Sequence, residues 1–213
     1  MTNFIPVFPL AIVVFPGEDL NLHIFETRYK QLITDCYQQK KPFGIPTVIH
    51  QELKELGTLV EITEIKKVYE DGTMDIRTKA LKVFRMLEQI HEIPDKLYSG
   101  AIVTYPSDIE DGKSLFMQKI INSIKELHII LEVKKDFKKP EAALKSFDVA
   151  HHLGLTIEEE YELLSLFREL QRQVYLKRHL SKVLPMLGQM EALKEMVKLN
   201  GHFKNLQSFN FDL

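Results

Sequence analysis

The hydrophobic pattern of this chain changes period near its middle, and that change limits the folds open to it more than any other feature. In the first half, segments 57–69, 73–81, 82–90 and 97–105 favour β-branched and aromatic residues and roughly alternate, which is typical of strands. In the second half, apolar residues recur every three or four positions, which is typical of amphipathic helices. A switch of this kind predicts two layers or two subdomains.

The change falls on the segment 106–112, which is polar and acidic and contains a proline and a glycine. Boundaries between domains usually lie in segments of this composition. We therefore predict a β-rich subdomain over residues 1–106 and an α-helical bundle subdomain over residues 107–213. Limited proteolysis is expected to cut at this junction, or at 134–140, before it cuts the β half.

Two local signals organise the β half. Asp71-Gly72 lies between two of the alternating segments and predicts a hairpin, because glycine supplies the positive φ that such a turn needs. Val60 and Ile62 are in phase with each other, but Ile65 is not. A β-bulge near residues 63–64 would return Ile65 to the buried face, so we predict one there.

One helix is predicted within the β half, over residues 27–38. Its apolar residues recur at three-to-four spacing, which predicts a single buried face. Because Cys36 lies on this face, we expect a buried, inert thiol, and Asp35 beside it is expected to raise the pKa of that thiol. The stripe consists of Tyr29, Leu32, Ile33 and Cys36.

The second half begins with a helix predicted over residues 115–133. A short helix over 148–152 is expected to end at Gly154, since glycine commonly follows a helix end. The inward face of the first helix is predicted to be Phe116, Ile120, Ile124, Leu127 and Leu131.

A capping box opens the next helix, because the Thr156 hydroxyl and the Glu159 carboxylate can satisfy exposed amides at its start. Pro185 is expected to kink or break this helix, since proline has no N–H for the helical ladder. A last helix is expected to end at residues 200–201, an Asn-Gly pair. The inward face after the capping box is predicted to be Tyr161, Leu164, Phe167, Leu170 and Val174.

Charge is balanced in both halves of the chain. The net charge is −2, with 12 Lys/Arg against 14 Asp/Glu in residues 1–106 and 16 against 16 in the remainder. A protein whose affinity comes from neutralising phosphates needs a basic excess, so nucleic acid is not the expected partner. We interpret two basic stretches as solvated surface, namely 134–139 and the set Arg172, Lys177, Arg178 and Lys182.

The single cysteine excludes an internal disulfide and fits a reducing compartment, so we expect a cytoplasmic protein. Residues 4–16 are apolar, but they contain three prolines and no basic residue precedes them, which argues against a signal peptide. The sequence contains no run near the roughly 18 apolar residues of a membrane span, so no membrane association is expected.

The nearest approach to a catalytic motif is the segment 107–114, which ends in Gly112-Lys113-Ser114. A phosphate-binding loop needs glycine at its start and free amides around the phosphate. Here a serine replaces that glycine, and three carboxylates would face the phosphate charge. We therefore interpret the segment as a linker followed by a helix start.

Metal ligands are also poorly placed. His91-Glu92 lacks a second histidine at helical spacing. His151 and His152 are adjacent, so on a helix they point about 100° apart. His128 lies among aliphatic residues and is expected to pack. The sequence therefore predicts no catalytic residue, no metal site and no cofactor.

A denser pattern of fixed positions lies within residues 8–36. It reads Phe8-Pro9-Leu10, Val14-Phe15-Pro16-Gly17, Leu20-Asn21-Leu22-His23-Ile24-Phe25-Glu26, Arg28-Tyr29 and Leu32-Ile33. This resembles the opening of the Lon substrate-binding domain family, roughly FPL…VVFPG…L.LHIFE.RY..L. Gly57, residues 60–62 and residues 71–73 also fit that family, and the resemblance covers about residues 3–195.

The resemblance implies an α+β fold, with a PUA-like β pseudo-barrel subdomain that carries one packed helix, followed by a C-terminal α-helical bundle. It implies a non-enzymatic protein without ATPase or peptidase modules. Such a protein would bind unfolded or extended polypeptide between the subdomains, and a protease or chaperone system is a candidate partner. Two alternatives stay open: an RNA-binding PUA-like protein, and an adaptor that docks a separate ATPase or protease.

The candidate binding residues are His23, Glu26, Arg28 and Tyr29. A structural role is open beside ligand contact, because Glu26 precedes a helix, where a carboxylate complements the helix dipole, and Arg28 can pair with an acidic residue across the fold. We expect residues 14–17 to form a strand that ends in a turn. The expected core contribution of this segment is Leu22, Ile24 and Phe25.

Overall fold

The computed structural model describes residues 2–202, in which strands fill the first half and helices the second. The strands are β1 Asn3–Pro6, β2 Asp19–Ile24, β3 Phe43–Ile49, β4 Glu52–Val68, β5 Met74–Ile90 and β6 Gly100–Thr104. The helices are α1 Thr27–Gln39, α2 Ser114–Ile130, α3 Ser146–Val149, α4 Ile157–Leu164 and α5 Glu169–His202, with short 3-10 turns at Glu141–Ala143 and Ala150–His152.

The strands form one antiparallel sheet in the order β1-β6-β5-β4-β3, and β2 pairs separately with β5. The chain after β1 then bonds to β3 through parallel bridges, Val7 with Gly44 and Leu10 with Thr47. The sheet therefore closes on itself. This confirms a mixed α/β fold with an antiparallel sheet, while its PUA-like character and the bundle arrangement of the helices stay predictions.

The hairpin predicted at Asp71-Gly72 joins β4 to β5. Gly72 has φ +75°, and the Tyr69 N–H donates to the Thr73 carbonyl oxygen at 2.9 Å. The two segments predicted as strands beyond the turn are one strand, β5. The register shifts between Ile62 and Glu64, which confirms the predicted bulge, and two further shifts help these long strands to bend.

Helix α1 packs on the sheet with the predicted face, because Tyr29, Leu32, Ile33 and Cys36 are its buried residues. The segment before β2 differs from the prediction. Gly17 makes the expected turn, with φ +91°, but residues 13–15 are in no strand. They are buried nonetheless, because this irregular segment lies between the core clusters of the two halves.

The backbones of β3 and β4 lie unusually close to each other at Gly57. A Cβ atom on Gly57 would lie 2.5 Å from the Cα of Pro46 and 2.7 Å from the Phe84 ring. Both contacts are far inside van der Waals distance, so the pairing of β3 with β4 over the Phe84 ring requires glycine at this position.

The face of α2 is shifted from the prediction. Leu131 is exposed and lies beyond the helix, because the chain turns away at Glu132, which has φ +53°. Met117 and Ile121 are buried in addition to the predicted Ile120, Ile124 and Leu127, whereas Phe116 is half-buried.

The helix predicted after the capping box is two helices. The capping box itself is confirmed, since the Thr156 hydroxyl accepts from the Glu159 N–H at 3.3 Å and the Glu159 carboxylate accepts from the Thr156 N–H at 2.9 Å. However, α4 ends at Leu164, and α5 begins at Glu169. The main chain of Ile109 bonds to the Phe167 carbonyl and to the Glu169 N–H in this gap, which sequence periodicity cannot show.

Because of this break, a different side of α5 from the predicted one faces the core. Val174 is exposed, whereas Leu176 and Leu180 are buried. Pro185 does not break the helix, because α5 continues through it, and the kink that was expected as the alternative stays a prediction. The end expected at residues 200–201 is also wrong, because the helix extends to His202, the last described residue. By contrast, Gly154 follows the short helical segment as predicted, with φ +69°.

The two halves share a packed cluster. Val13, Phe15, Leu56 and Val83 from the β half are buried against helical residues such as Ile124 and Leu164. The junction at 106–112 lies along α5 and is bonded to it. The boundary at residue 106 stays a prediction, and cleavage there would separate halves that bury apolar surface against each other.

Candidate functional site

The four predicted binding residues come together at the corner where β2 meets α1. His23 lies near the end of β2, Glu26 is the residue before α1, and Arg28 and Tyr29 lie in its first turn. His23 and Arg28 are exposed, but Tyr29 is buried, with the Arg28 guanidinium 4.5 Å from its ring centroid. Burial raises the pKa of Tyr29.

His23, Glu26 and Arg28 each have a side-chain partner. His23 Nδ1 lies 2.7 Å from Asp75 Oδ1, and the Tyr69 hydroxyl donates to the other oxygen of Asp75 at 2.7 Å. These bonds, that of Tyr69 first, lower the pKa of Asp75. Arg28 pairs with Glu26 at 2.7 Å, so the pairing expected across the fold is wrong: the partner is two residues away.

The corner lies away from the apolar cluster that the two halves share. Asp75 and Val83, which belongs to that cluster, are eight residues apart on β5, or roughly 25 Å. Phe25, expected in the core, is 64% exposed, with its ring centroid 6.4 Å from that of His23. Since Ile24 already fills the core at the end of β2, the next side chain faces solvent.

Strand β2 has an unpaired edge. Within residues 2–202, β5 is the only strand that pairs with it. The Glu18 carbonyl accepts from the Ala80 N–H at 2.8 Å, and antiparallel bonding then alternates along the strand. The N–H and C=O groups of Asp19, Asn21 and His23 therefore point away from β5, toward the open side of the sheet.

The two faces of this edge differ in character. Leu20 and Leu22 are half-buried against the core beneath α1, whereas Asp19, Asn21 and His23 are exposed. This alternation is visible in the sequence around residues 19–24, but the edge position depends on which strands pair. The sequence therefore pointed to His23 but not to Asp19 and Asn21.

At its Asp19 end, β2 meets a crevice of about 370 Å³ between the two halves. The β half lines it with residues 17–19 and Lys79. The helical half lines it with the basic segment around Lys135 and Lys138, and with Asp148 and His151. The free edge therefore runs from this crevice to the corner at His23, four residues further along β2, or roughly 13 Å.

His151 connects the halves at the crevice. Its Nε2 lies 2.7 Å from Glu18, in the turn before β2, and its Nδ1 lies 2.7 Å from Glu160, in α4. The bond to Glu160, followed by that to Glu18, raises the pKa of His151 to about 9. Its neighbour His152 has a pKa lowered to about 4, because burial disfavours the charged ring.

Helix α4 is held by histidines from three elements. Glu160 pairs with His151, Glu158 lies 3.0 Å from His50 in the turn between β3 and β4, and Glu159 lies 3.4 Å from His179 in α5. The sequence shows the three consecutive glutamates but not their partners, which are distant along the chain.

The segment 107–114, which ends in Gly-Lys-Ser, is bonded to α5. Asp108 pairs with Arg172 at 2.8 Å, and Asp111 accepts from the Leu170 N–H at 3.0 Å. The Lys113 N–H donates to the Gln173 side chain, so it does not face an open phosphate cradle. The interpretation of Arg172 as solvated surface is wrong, because it is 3% exposed, whereas Lys177, Arg178 and Lys182 are not buried.

Cys36 is buried, and burial together with Asp35 raises the pKa of its thiol to about 12, as predicted. The described part of the chain has no cluster of three or more side chains suited to a metal ion. In residues 2–202, no helix is both long and apolar enough to span a membrane.

The closed antiparallel sheet, the helix α1 packed on it and the long C-terminal helix define an α/β domain of the type found at the amino terminus of Lon proteases. The family model of the ATP-dependent protease La (LON) substrate-binding domain matches residues 5–182, and the chain belongs to this family.

Two solved structures have the same fold. One is a Lon N-terminal domain protein from Xanthomonas campestris, 22% identical, with a TM-score of 0.60, covering 83% of this chain and 98% of that one. The other is the N-terminal domain of a Mycobacterium avium complex Lon protease, 13% identical, with a TM-score of 0.62, covering 85% of this chain and 100% of that one.

Proposed function

We propose that this protein is a non-catalytic binding module that captures extended polypeptide along the free edge of β2. The observation that carries the proposal is the row of outward N–H and C=O groups at Asp19, Asn21 and His23. An extended chain can add to such an edge through backbone hydrogen bonds, which ask little of its sequence. Membership of a substrate-binding domain family supports the same role.

The proposed path joins the two regions expected to bind. The polypeptide would start at the corner formed by His23 and Phe25, run beside β2 and end in the crevice at Asp19. Phe25 offers an exposed aromatic ring at one end, and Leu20 and Leu22 offer half-buried apolar surface along the strand. Within this proposal, Glu26 and Arg28 order the corner through their ion pair and do not bind directly.

We expect weak binding that depends little on salt. Apolar burial contributes about 25 cal/mol per Å², but ordering a flexible chain offsets much of that gain. An affinity near micromolar, roughly −8 kcal/mol, follows. The charged groups beside the edge are paired with one another, and neither half has a basic surplus, which argues against phosphate-driven binding of RNA.

The proposal also concerns the cellular location and the architecture of the protein. We infer a cytoplasmic protein whose closed sheet is PUA-like and whose helices form a bundle, acting beside a separate protease or chaperone. The single cysteine, buried and with a raised pKa, fits a reducing compartment.

A proline substitution tests the proposal. The Asn21 N–H points away from β5, so Asn21→Pro keeps the bonds to β5 while it removes one outward donor and obstructs the edge. Asn21→Ala is the matched control, because it keeps the N–H. Fluorescence titration with an unfolded, thiol-blocked model protein should show that the proline variant binds at least about tenfold more weakly, a loss of about 1.4 kcal/mol, while the alanine variant binds normally.

The same titration with random RNA at two salt concentrations separates the alternatives. RNA binding that weakens steeply with salt, together with no saturable binding of unfolded protein, would replace the polypeptide proposal with the nucleic-acid one. Equal binding by the proline and alanine variants would keep polypeptide binding but remove the β2 edge as its site. Circular dichroism and a thermal melt verify that both variants fold.

A further inference from the structure

We propose that the segment accepted by β2 is uncharged over about six residues and carries an apolar side chain at every second position. This inference rests on the proposed function and specifies its ligand. It follows from two properties of the edge: the charges beside it are already neutralised, and its two faces differ in polarity.

The charges beside the edge occur as pairs. Asp19 lies 3.0 Å from Lys79 on β5, and His23 lies 2.7 Å from Asp75. Between them, Arg77 stands opposite Asn21 and lies 3.5 Å from Glu64 on β4. Asp19, Arg77 and Asp75, the charged side chains nearest the edge, therefore each have a bonded or oppositely charged partner already.

A charged side chain on an added strand would find the charged groups nearest the β2 edge already partnered, since Glu61, opposite Lys79, lies on β4, two strands away from the edge. It would lose part of its hydration on docking and gain little in return, because each nearby charge is already compensated. Along these rows, away from Lys135 and Lys138 in the crevice, negative and positive side chains should suffer alike, and a neutral polar side chain avoids the penalty. The β2 edge therefore favours a polypeptide segment without charged side chains.

The alternation follows from strand geometry. The outward groups of Asp19, Asn21 and His23 set the register of an added strand, whose side chains must alternate between the two faces. On one face they would stand beside Leu20 and Leu22, which are only half-buried and gain by being covered. On the other face they would stand beside the exposed row.

The length follows from the ends of the strand. Gly17, with φ +91°, turns the chain away before Asp19. Beyond Ile24 the chain leaves the sheet at Phe25 and enters α1. Six residues are therefore available for pairing, which matches a single short strand.

Four peptides test the inference, each with about six variable residues between uncharged Gly-Ser flanks. They are three Thr-Val repeats, three Glu-Val repeats, three Lys-Val repeats, and three valines followed by three threonines. Fluorescence anisotropy should show the Thr-Val peptide binding best. Both charged peptides and the block peptide should bind at least about tenfold more weakly, and Asn21→Pro should weaken the Thr-Val peptide.

Two substitutions on the protein sharpen the test, since both alter exposed side chains and leave the fold in place. Lys79→Ala leaves Asp19 without its partner, so the Lys-Val peptide should gain at least about threefold relative to Thr-Val. Asp19→Ala leaves Lys79 without that partner, so the Glu-Val peptide should gain instead. If the Lys-Val and Glu-Val peptides bind both variants with the same relative affinities as the unmodified protein, the proposal that the charges beside the edge are neutralised is wrong.

The outcomes separate this inference from the function on which it rests. Equal binding of all four peptides, weakened by Asn21→Pro, would leave the β2 edge as a polypeptide site and remove the ligand pattern. The pattern is removed in the same way if unfolded protein binds in an Asn21→Pro-sensitive manner but none of the short peptides does. If neither unfolded protein nor any peptide binds, the proposed function itself is wrong.

Discussion

The β half and the helical half bury different kinds of polar group. The buried polar side chains described in the sheet are threonines, at positions 47, 58 and 78. The helical half buries Glu169, Arg172 and Gln173 along α5, together with Ser146. The sheet is thus held by apolar packing and close backbone approach, whereas the helices are positioned by a buried ionic network.

That network lies at the gap between α4 and α5. Arg172 donates to Glu169 at 2.9 Å, to Asp108 at 2.8 Å and to the Leu166 carbonyl at 2.9 Å. Glu169 also accepts from the N–H and the hydroxyl of Ser146, both at 2.9 Å. One buried pair therefore connects the junction, the start of α3 and the gap between α4 and α5.

The largest effect is expected from breaking this pair. Arg172→Met leaves the Glu169 carboxylate buried without its cation, and removing one partner of a buried pair typically costs about 3–5 kcal/mol. Urea denaturation should show this loss, while Arg178→Met, at an exposed position of the same helix, should change stability by less than about 0.5 kcal/mol.

A double variant sharpens the assignment. Glu169→Gln combined with Arg172→Met removes both charges, so it should recover part of the loss. A change of under about 1 kcal/mol for Arg172→Met alone would show that the network does not position the helices.

The β half should be most sensitive at Gly57. An added methyl group would overlap the Pro46 backbone, which cannot move without shifting β3, so Gly57→Ala should destabilise by about 2 kcal/mol. Gly188→Ala is the matched control, because no neighbouring atom lies within 4 Å of its Cβ position and alanine favours a helix by about 0.5–1 kcal/mol. Equal effects of the two substitutions in denaturant would contradict the close approach at Gly57.

The two halves also differ in how much of their structure could be predicted from the sequence. The hairpin at Gly72, the bulge after Ile62 and the buried stripe of α1 depend on neighbours a few residues away, so periodicity and turn chemistry predict them. The break before Glu169 depends on Ile109, some 60 residues earlier, and no local pattern reports it. The predicted burial of Val174 is wrong for that reason.

The candidate site was also predictable only where it depends on residues that are near one another in the sequence. The family pattern at residues 20–29 pointed to His23, Glu26, Arg28 and Tyr29, which do meet at one corner. It could not show that β2 lacks a second neighbour among the described strands, since strand order is a property of the whole sheet. Nor could it place His151 between Glu18 and Glu160.

His151 provides a test of the contact between the halves. Its folded pKa of about 9 lies above the ordinary value of 6.5, so the stabilisation is complete below pH 6.5 and is lost as the pH rises toward 9. Because the ring is 41% exposed, screening reduces the effect to about 1 kcal/mol. Stability measured between pH 6.5 and 9 should fall by that amount.

His151→Gln should flatten this pH dependence, whereas substitution of the exposed His91 should leave it unchanged. An unaltered slope in the His151 variant would assign the pH dependence to other groups.

The smallest effect is expected at the corner formed by β2 and α1. The Arg28–Glu26 pair is exposed and local, and the guanidinium also stacks on Tyr29, so Arg28→Ala should destabilise by about 0.5 kcal/mol. Denaturation and peptide titration on the same variant distinguish its two roles. A stability loss above about 1 kcal/mol would make Arg28 a structural brace. Near-normal stability with a clear loss of polypeptide binding would instead make Arg28 a direct contact, extending the binding edge from β2 onto α1.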